Sequence, residues 1–199
     1  MNILVTAFDP FGGEKINPAQ QAVERLADII GEAKIHKLIV PTVFGKAAEN
    51  VIEEMNKLRP DAVVCVGQAG GRKSVTPERV AINVMDANIT DNIGQQPVDE
   101  VIVADGPAAY FSTLPVKRMV QAIRDAGLPG DVSNSAGTFV CNSLLYSVLH
   151  HAATNMPQTR AVFVHVPYIP EQTVGKEGVA SMPLEDIVRA LSAAIMGIQ

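Results

Sequence analysis

Two kinds of hydrophobic pattern alternate along this chain, and together they predict strands and helices in turn. Short, almost uninterrupted apolar runs are typical of the buried strands of a parallel sheet. They occupy residues 3–8, 35–40, 62–67 and 161–167. Between them, apolar residues recur every three or four positions, which predicts helices with one buried face. These helices are expected at residues 18–30, 46–58, 116–126, 140–152 and 184–196.

The middle of the chain is less regular. A short strand is predicted at residues 79–85, residues 86–98 are polar and irregular, and the apolar run at residues 101–103 is short. The alternation elsewhere predicts an α/β fold with a central twisted, mostly parallel sheet and helices on both faces. In such folds, ligand sites form beyond the carboxyl ends of the strands.

Capping residues mark several helix ends. Asn17 precedes Pro18, an arrangement that favours a helix start. Gly127 closes the helix at residues 116–126. Ser135 and Thr138 are both candidates to cap the helix that follows them.

Composition narrows the class of protein. The 199 residues are 47% hydrophobic and 19% charged, which predicts one globular domain spanning residues 1–199. With a net charge of -5 and no cluster of Lys and Arg, nucleic-acid binding is not expected. The apolar run at residues 3–8 is too short for a signal peptide or a membrane span, so we expect a cytoplasmic protein without membrane association.

Cys141 is the first candidate for chemistry. It lies in the first turn of a predicted helix, where unpaired N–H groups and the helix dipole favour a thiolate. It also falls on the apolar stripe of that helix, so a small core residue is the alternative interpretation. The other cysteine, Cys65, lies in a continuous apolar run and is expected to be an inert core thiol.

His165 and Glu78 could complete a catalytic group with Cys141. His165 lies near the end of an apolar strand, where it is either a general base or a buried neutral histidine. Glu78 is either the carboxylate that orients such a base or a surface ion-pair partner of Arg79. Asp86 competes with Glu78 for the orienting role. The sequence has no metal-binding motif.

The loop at residues 67–74 nearly matches a phosphate-binding P-loop. Arg72 stands where that motif requires its second glycine, and Pro77 follows too soon for a helix to start at Lys73. A protein that binds nucleosides or nucleotides through this loop is therefore the weaker alternative function. An inactive protein of the same fold is a further alternative.

Four blocks of sequence, in order, resemble the pyroglutamyl peptidase I family, also called pyrrolidone-carboxylate peptidases. The blocks are residues 8–18, 67–83, 133–142 and 165–170. The resemblance implies a single α/β domain, commonly a homotetramer, without a cofactor. It also implies hydrolysis of the bond after an N-terminal pyroglutamyl group of peptides and proteins, through a thioester intermediate. By this resemblance Cys141 is the nucleophile, His165 the base and Glu78 the residue that orients it.

The substrate pocket is expected to be apolar, because a pyroglutamyl ring is flat and uncharged. Phe8 and Phe11 could form its walls, and Phe139 and Val140 adjoin the proposed nucleophile. The alternative for the phenylalanines is core packing. The resemblance adds three further residues to the pocket. They are Thr42, Gln68 and Ile89. Backbone N–H groups at the start of the Cys141 helix and near Gln68 are candidates to hold the oxyanion.

Overall fold

A six-stranded sheet forms the centre of the computed structural model, which describes residues 1–199. The strands are β1 (Asn2–Phe8), β2 (Ile29–Ile30), β3 (Ala33–Val40), β4 (Ala62–Gln68), β5 (Thr76–Pro77) and β8 (Arg160–Val166), in the order β2-β3-β1-β4-β8-β5. A separate pair consists of β6 (Val80–Ile82) and β7 (Ala109–Phe111). The four central strands are parallel, and the short edge strands β2 and β5 are antiparallel to their neighbours.

Helices cover both faces of this sheet, as the sequence predicts. They are α1 (Pro18–Arg25), α2 (Lys46–Leu58), α3 (Val116–Asp125), α4 (Val140–Asn155), α5 (Pro170–Thr173) and α6 (Leu184–Met196). Residues of α1, α3 and α6 pack into one core, and residues of α2 and α4 pack into another on the opposite face. The predicted α/β class, with a mostly parallel sheet between two helical layers, is therefore confirmed.

Side chains of a strand alternate between the two cores, and this alternation decides where chemistry can occur. On β8, Val162 and Val164 point into the core of α1, α3 and α6, whereas Phe163 points toward α4. His165 follows Phe163 by two positions and therefore shares its side of the sheet. The ring centroids of Phe163 and His165 are 4.7 Å apart.

The helix predicted for residues 18–30 is wrong in its second half. Asn17 caps α1 as expected, its side chain accepting a hydrogen bond from the Ala19 N–H, but the helix ends at Arg25. Residues 29 and 30 instead form β2, which pairs antiparallel with β3 across a tight turn at Gly31. Gly31 has a φ of +58°, a conformation that glycine adopts easily, so the hairpin forms there.

The predicted side-chain caps of α4 are also wrong. The N-cap residue is Phe139, and no side chain caps the helix. The Thr138 hydroxyl donates to the Asp86 carbonyl instead, and the Ser135 hydroxyl accepts from the Gly137 N–H. The first N–H groups of α4 therefore have no side-chain acceptor.

Other boundaries agree closely with the sequence pattern. Helices α2 and α6 have the expected bounds, whereas the short elements β5, β7 and α5 were not predicted. No helix combines the length and the apolar character needed to cross a membrane.

Candidate active site

The carboxyl ends of β4 and β8 and the start of α4 meet on one side of the sheet. Gly67 of β4 lies in register with His165 of β8. A Cβ atom added at Gly67 would lie 3.2 Å from the Cys141 Sγ and 2.6 Å from the Phe163 ring. The sulfur of Cys141 therefore lies close over the Gly67 backbone, and a side chain at this position would be in tight contact with it. This arrangement places the thiol next to the strand pair that carries His165.

Glu78 reaches the same side of the sheet from the opposite edge of β8. It follows β5, and its N–H donates to the Phe163 carbonyl at 2.8 Å. Its side chain is fully buried, and Oε1 lies 2.7 Å from His165 Nδ1. Because an ionised carboxylate only accepts hydrogen bonds, the bond assigns the proton to Nδ1. The other ring nitrogen, Nε2, makes no hydrogen bond, so its lone pair is available.

The imidazole is held in its neutral form. Burial lowers the pKa of His165 below its ordinary value of 6.5, and the hydrogen bond and charge of Glu78 only partly oppose this effect. A neutral ring with its proton on Nδ1 can accept a proton at Nε2. The arrangement thus has the protonation state that a general base requires.

Cys141 is partly exposed, at the second position of α4. The prediction that its thiolate would be favoured is wrong for the resting structure. The pKa of the Cys141 thiol is raised from 9.0 to about 12, mainly by burial and then by the negative charge of Glu78. The Arg72 charge and the backbone N–H of Cys141 oppose this rise but do not cancel it. No hydrogen bond joins Cys141 to His165 in this state. The resting site therefore pairs a neutral thiol with a neutral imidazole.

The structure does not support the alternative residues and contacts that the sequence left open for this site. Cys65 is completely buried in the core, and burial raises its pKa to about 12. Asp86 is exposed, and its backbone pairs with Thr138, so it does not reach His165. Glu78 is not a surface partner of Arg79. It pairs with Arg72 at 2.8 Å, a contact that the sequence analysis missed.

Three of the expected pocket residues lie together beside the start of α4. The rings of Phe11 and Phe139 have their centroids 6.1 Å apart. A Cβ atom at Gly12 would lie 3.9 Å from Ile89 Cδ1, which places Ile89 against the Phe11 loop. Phe11 and Phe139 are partly exposed and Ile89 is 48% exposed, so all three present apolar surface.

The other four expected pocket residues are buried and contribute differently. Phe8 and Val140 belong to the core between the sheet and the helices α2 and α4. The Thr42 hydroxyl donates to Asp9 Oδ1 at 2.9 Å, which fixes the loop that carries Phe11. Gln68 accepts a hydrogen bond from Gln172 at 2.8 Å. These residues support the loops around Cys141.

A large groove lies elsewhere on the molecule. It has a volume of about 740 Å³, runs between α2 and α4, and does not include Cys141. Phe44 borders this groove, and its ring meets the Phe139 ring edge-on, with the two centroids 5.2 Å apart. The groove and the Phe11–Phe139 wall are therefore connected through aromatic contacts.

The glycine loop after β4 does not have the structure of a P-loop. A P-loop leads directly into a helix, whose N-terminus receives the phosphate. Here the loop leads into the strand β5, and the Tyr168 ring lies where a side chain at Gly70 would be. This geometry does not support the nucleotide-binding alternative. No group of three or more metal-binding side chains occurs in the structure.

A thiol at a helix start, an imidazole and a buried carboxylate on one side of a parallel sheet are the groups that a cysteine hydrolase uses. Comparison with known proteins identifies the family. The chain matches the family described as pyroglutamyl peptidase over residues 1–199 and belongs to it. Members of this family are cysteine peptidases that remove N-terminal pyroglutamate.

Individual relatives agree over the full length of the chain. The pyrrolidone-carboxylate peptidase of Streptococcus suis (strain 05ZYH33) is 56% identical over 198 residues, which are 100% of this chain and 92% of that protein. The protein of the same name from Levilactobacillus brevis is also 56% identical, with 97% of its length covered. The crystal structure of Bacillus amyloliquefaciens pyroglutamyl peptidase I is 49% identical in sequence and superposes with a TM-score of 0.95. The match covers 99% of this chain and 96% of the chain in that structure.

Proposed function

We propose that this protein hydrolyses the bond after an N-terminal pyroglutamyl residue, with Cys141 as nucleophile, His165 as general base and Glu78 as the residue that orients the base. The main support is the 2.7 Å bond between Glu78 and His165 on the side of the sheet where the Cys141 sulfur lies over Gly67. Removal of N-terminal pyroglutamate is also the activity of the family.

The resting protonation states define the first step. Because the thiol and the imidazole are both neutral, His165 Nε2 takes the Cys141 proton as the sulfur attacks the pyroglutamyl carbonyl carbon. The new carbon–sulfur bond forms a tetrahedral intermediate. The carbon–nitrogen bond then breaks, and the released amine takes the proton from the imidazolium. Glu78 stabilises the imidazolium while it exists.

The second half of the reaction removes the acyl group. His165 takes a proton from water, and the oxygen attacks the thioester carbon. The carbon–sulfur bond breaks, the Cys141 sulfur regains its proton from the imidazolium, and pyroglutamate is released. Atoms and charges balance without a cofactor.

The start of α4 is the candidate site for the oxyanion. The N–H groups of Cys141 and Asn142 precede the first helical hydrogen bond, which runs from the Ser143 N–H to the Phe139 carbonyl. They have no backbone acceptor, and no side chain caps this helix. Free N–H groups at a helix start can stabilise a developing negative charge. The predicted cap would have competed with the oxyanion for these donors.

The apolar wall of Phe11, Ile89 and Phe139 suits a substrate that carries no α-ammonium. A free N-terminal residue is positively charged, whereas the pyroglutamyl ring is neutral and flat. These three apolar side chains therefore favour the cyclised residue, because a charged amine packed against them would lose its hydration without gaining an ion pair from them.

Two cysteine variants test the assignment. Cys141→Ser should abolish release of a chromophore from a pyroglutamyl amide, because the serine hydroxyl is a much weaker nucleophile here. Cys65→Ser is the matched control and should keep most of the activity, since Cys65 is buried in the core. Full activity in Cys141→Ser would refute the proposal.

We also propose that the protein is a cytoplasmic homotetramer. The resemblance to the family supports this assembly, and large apolar side chains on the surface are compatible with subunit contacts. The most exposed are Ile29, Ile93, Val98, Phe111 and Val174. Sedimentation of the purified protein should give the mass of four chains, and a monomer at micromolar concentration would contradict the proposal. Cell fractionation tests the compartment.

A further inference from the structure

Arg72 connects three segments that surround the proposed catalytic group. Its Nη1 donates to Glu78 Oε1 at 2.8 Å and to the Thr76 hydroxyl, and its Nη2 donates to the Ser135 carbonyl at 3.3 Å. The guanidinium thus joins the glycine loop after β4, the end of β5 and the segment that leads into α4. Its side chain is 27% exposed.

The bond to Glu78 is made to the same oxygen that faces His165. Oε1 lies 2.7 Å from His165 Nδ1 and 2.8 Å from Arg72 Nη1. The second oxygen, Oε2, is buried and has no hydrogen-bond partner. A fully buried carboxylate is stable as an anion only when charged or polar groups compensate the lost hydration. Arg72 is the one cation paired with this carboxylate, since the His165 ring is neutral.

The charge of Glu78 decides which nitrogen of His165 is free. An ionised carboxylate accepts from Nδ1–H and leaves Nε2 as an acceptor for the thiol proton. A protonated carboxyl could donate to Nδ1 instead, and the ring proton would then lie on Nε2. In that tautomer the imidazole could not take the proton of Cys141.

We propose that Arg72 is a positioning residue for this reaction: it holds Glu78 as a hydrogen-bond acceptor and thereby keeps His165 Nε2 free to act as the base. This inference rests on the proposed function. Arg72 acts through Glu78 and does not touch the reacting atoms. Its place in the glycine loop explains why an arginine occupies the position where a P-loop has glycine.

The electrostatic effect of Arg72 extends to both reacting groups. Glu78, Arg72 and Cys65 are the groups that influence the Cys141 thiol, and Glu78 and Arg72 are those that influence His165. The positive charge of Arg72 lowers the pKa of the thiol and the pKa of the imidazole. Removing the charge should therefore raise both pKa values, which makes the thiol harder to deprotonate and moves the imidazole toward its charged form.

The experiment compares Arg72→Gln with Arg79→Gln, a matched control. Arg79 is the sequence neighbour of Glu78, and its side chain makes no hydrogen bond or ion pair. With a pyroglutamyl amide reporter, we expect Arg72→Gln to lower kcat by about 10- to 100-fold, as for other residues that orient a functional side chain, with KM nearly unchanged. Arg79→Gln should remain within about twofold of the unmodified protein.

The pH profile separates positioning from a merely structural role. The acid limb of kcat/KM should move to higher pH in Arg72→Gln, whereas a loss of folded protein would lower the rate equally at every pH. Arg72→Lys restores the charge and should recover part of the lost kcat and move the acid limb back. If Arg72→Gln does not fold, kcat and the pH profile of Arg72→Lys test the inference instead. We then expect a smaller decrease in kcat and a smaller shift of the acid limb to higher pH.

Equal kcat in the Arg72 and Arg79 variants, or an acid limb that does not move, would overturn the inference. The proposed function fails in a different way, through an unmodified protein without activity or a fully active Cys141→Ser variant.

Discussion

Gly67→Ala is the substitution that tests the packing of the site most strictly. The added Cβ would lie 2.6 Å from Cζ and 2.9 Å from Cε1 of Phe163, and 3.2 Å from the Cys141 Sγ. Ordinary contact between carbon atoms requires about 3.5–4.0 Å. The Phe163 ring would therefore have to move by about 1 Å, and the sulfur by a few tenths of an ångström.

The ring has little freedom to move. Phe163 is completely buried, and its centroid lies 6.2 Å from that of Phe8 and 4.7 Å from that of His165. Overpacking of this kind costs about 1–3 kcal/mol of folding free energy. Because the displaced ring contacts His165, the base and the sulfur should both shift. Misplacement of reacting groups by about 1 Å can cost on the order of 100-fold in rate.

We therefore expect Gly67→Ala to lower kcat/KM for a pyroglutamyl amide by about 100-fold and to reduce the free energy of unfolding in urea by about 1–3 kcal/mol. A second substitution, Phe163→Leu, provides the control. If the methyl group clashes with the ring, the double variant should be more stable than the sum of the two single effects predicts. Unchanged activity and unchanged stability in Gly67→Ala would refute the close approach of strand, ring and sulfur.

Two further predictions concern Glu78 and His165. Glu78→Gln should lower kcat by between about 10² and 10⁴ with little change in KM, because an amide can favour the wrong tautomer of His165. Steady-state kinetics with the pyroglutamyl amide reporter measure this decrease. Unchanged turnover would remove Glu78 from the mechanism. Burial lowers the pKa of His165 below 6.5, so the unfolded chain binds this proton more readily than the folded chain. The free energy of unfolding should then fall as the pH drops below about 6.5, and it should fall less steeply in His165→Gln; parallel curves for the two proteins would contradict this.

The sequence predicts much of this fold because the helices and central strands bury apolar residues with clear periods. Helices α2 and α6 and the parallel strands follow from that pattern alone. The two-residue strands β2 and β5 are too short to show any period, and they depend on pairing with β3 and β8. The period of apolar residues predicted a helix through residue 30, but α1 ends at Arg25, and residues 29 and 30 pair with β3 in a hairpin.

The sequence singles out the residues of the candidate site but not their electrostatics. Cys141, His165 and Glu78 stand out by residue type, position and family resemblance. The protonation state of the thiol depends on how much water reaches it, which only the packed structure determines. Burial raises the pKa of the thiol more than the N–H at the helix start lowers it. Arg72 stands out in the sequence only as a departure from a P-loop, because its contact with Glu78 depends on how the glycine loop folds back.

The central claim is that the Cys141 sulfur forms a covalent bond with the pyroglutamyl acyl group during turnover. The most direct test is mass spectrometry of the protein after acid quenching in the presence of excess pyroglutamyl amide, followed by proteolysis. We predict a mass increase of one pyroglutamyl acyl group on the peptide that contains Cys141, and none on the peptide that contains Cys65. A hydrolysing protein that accumulates the acyl group on another residue would contradict the account.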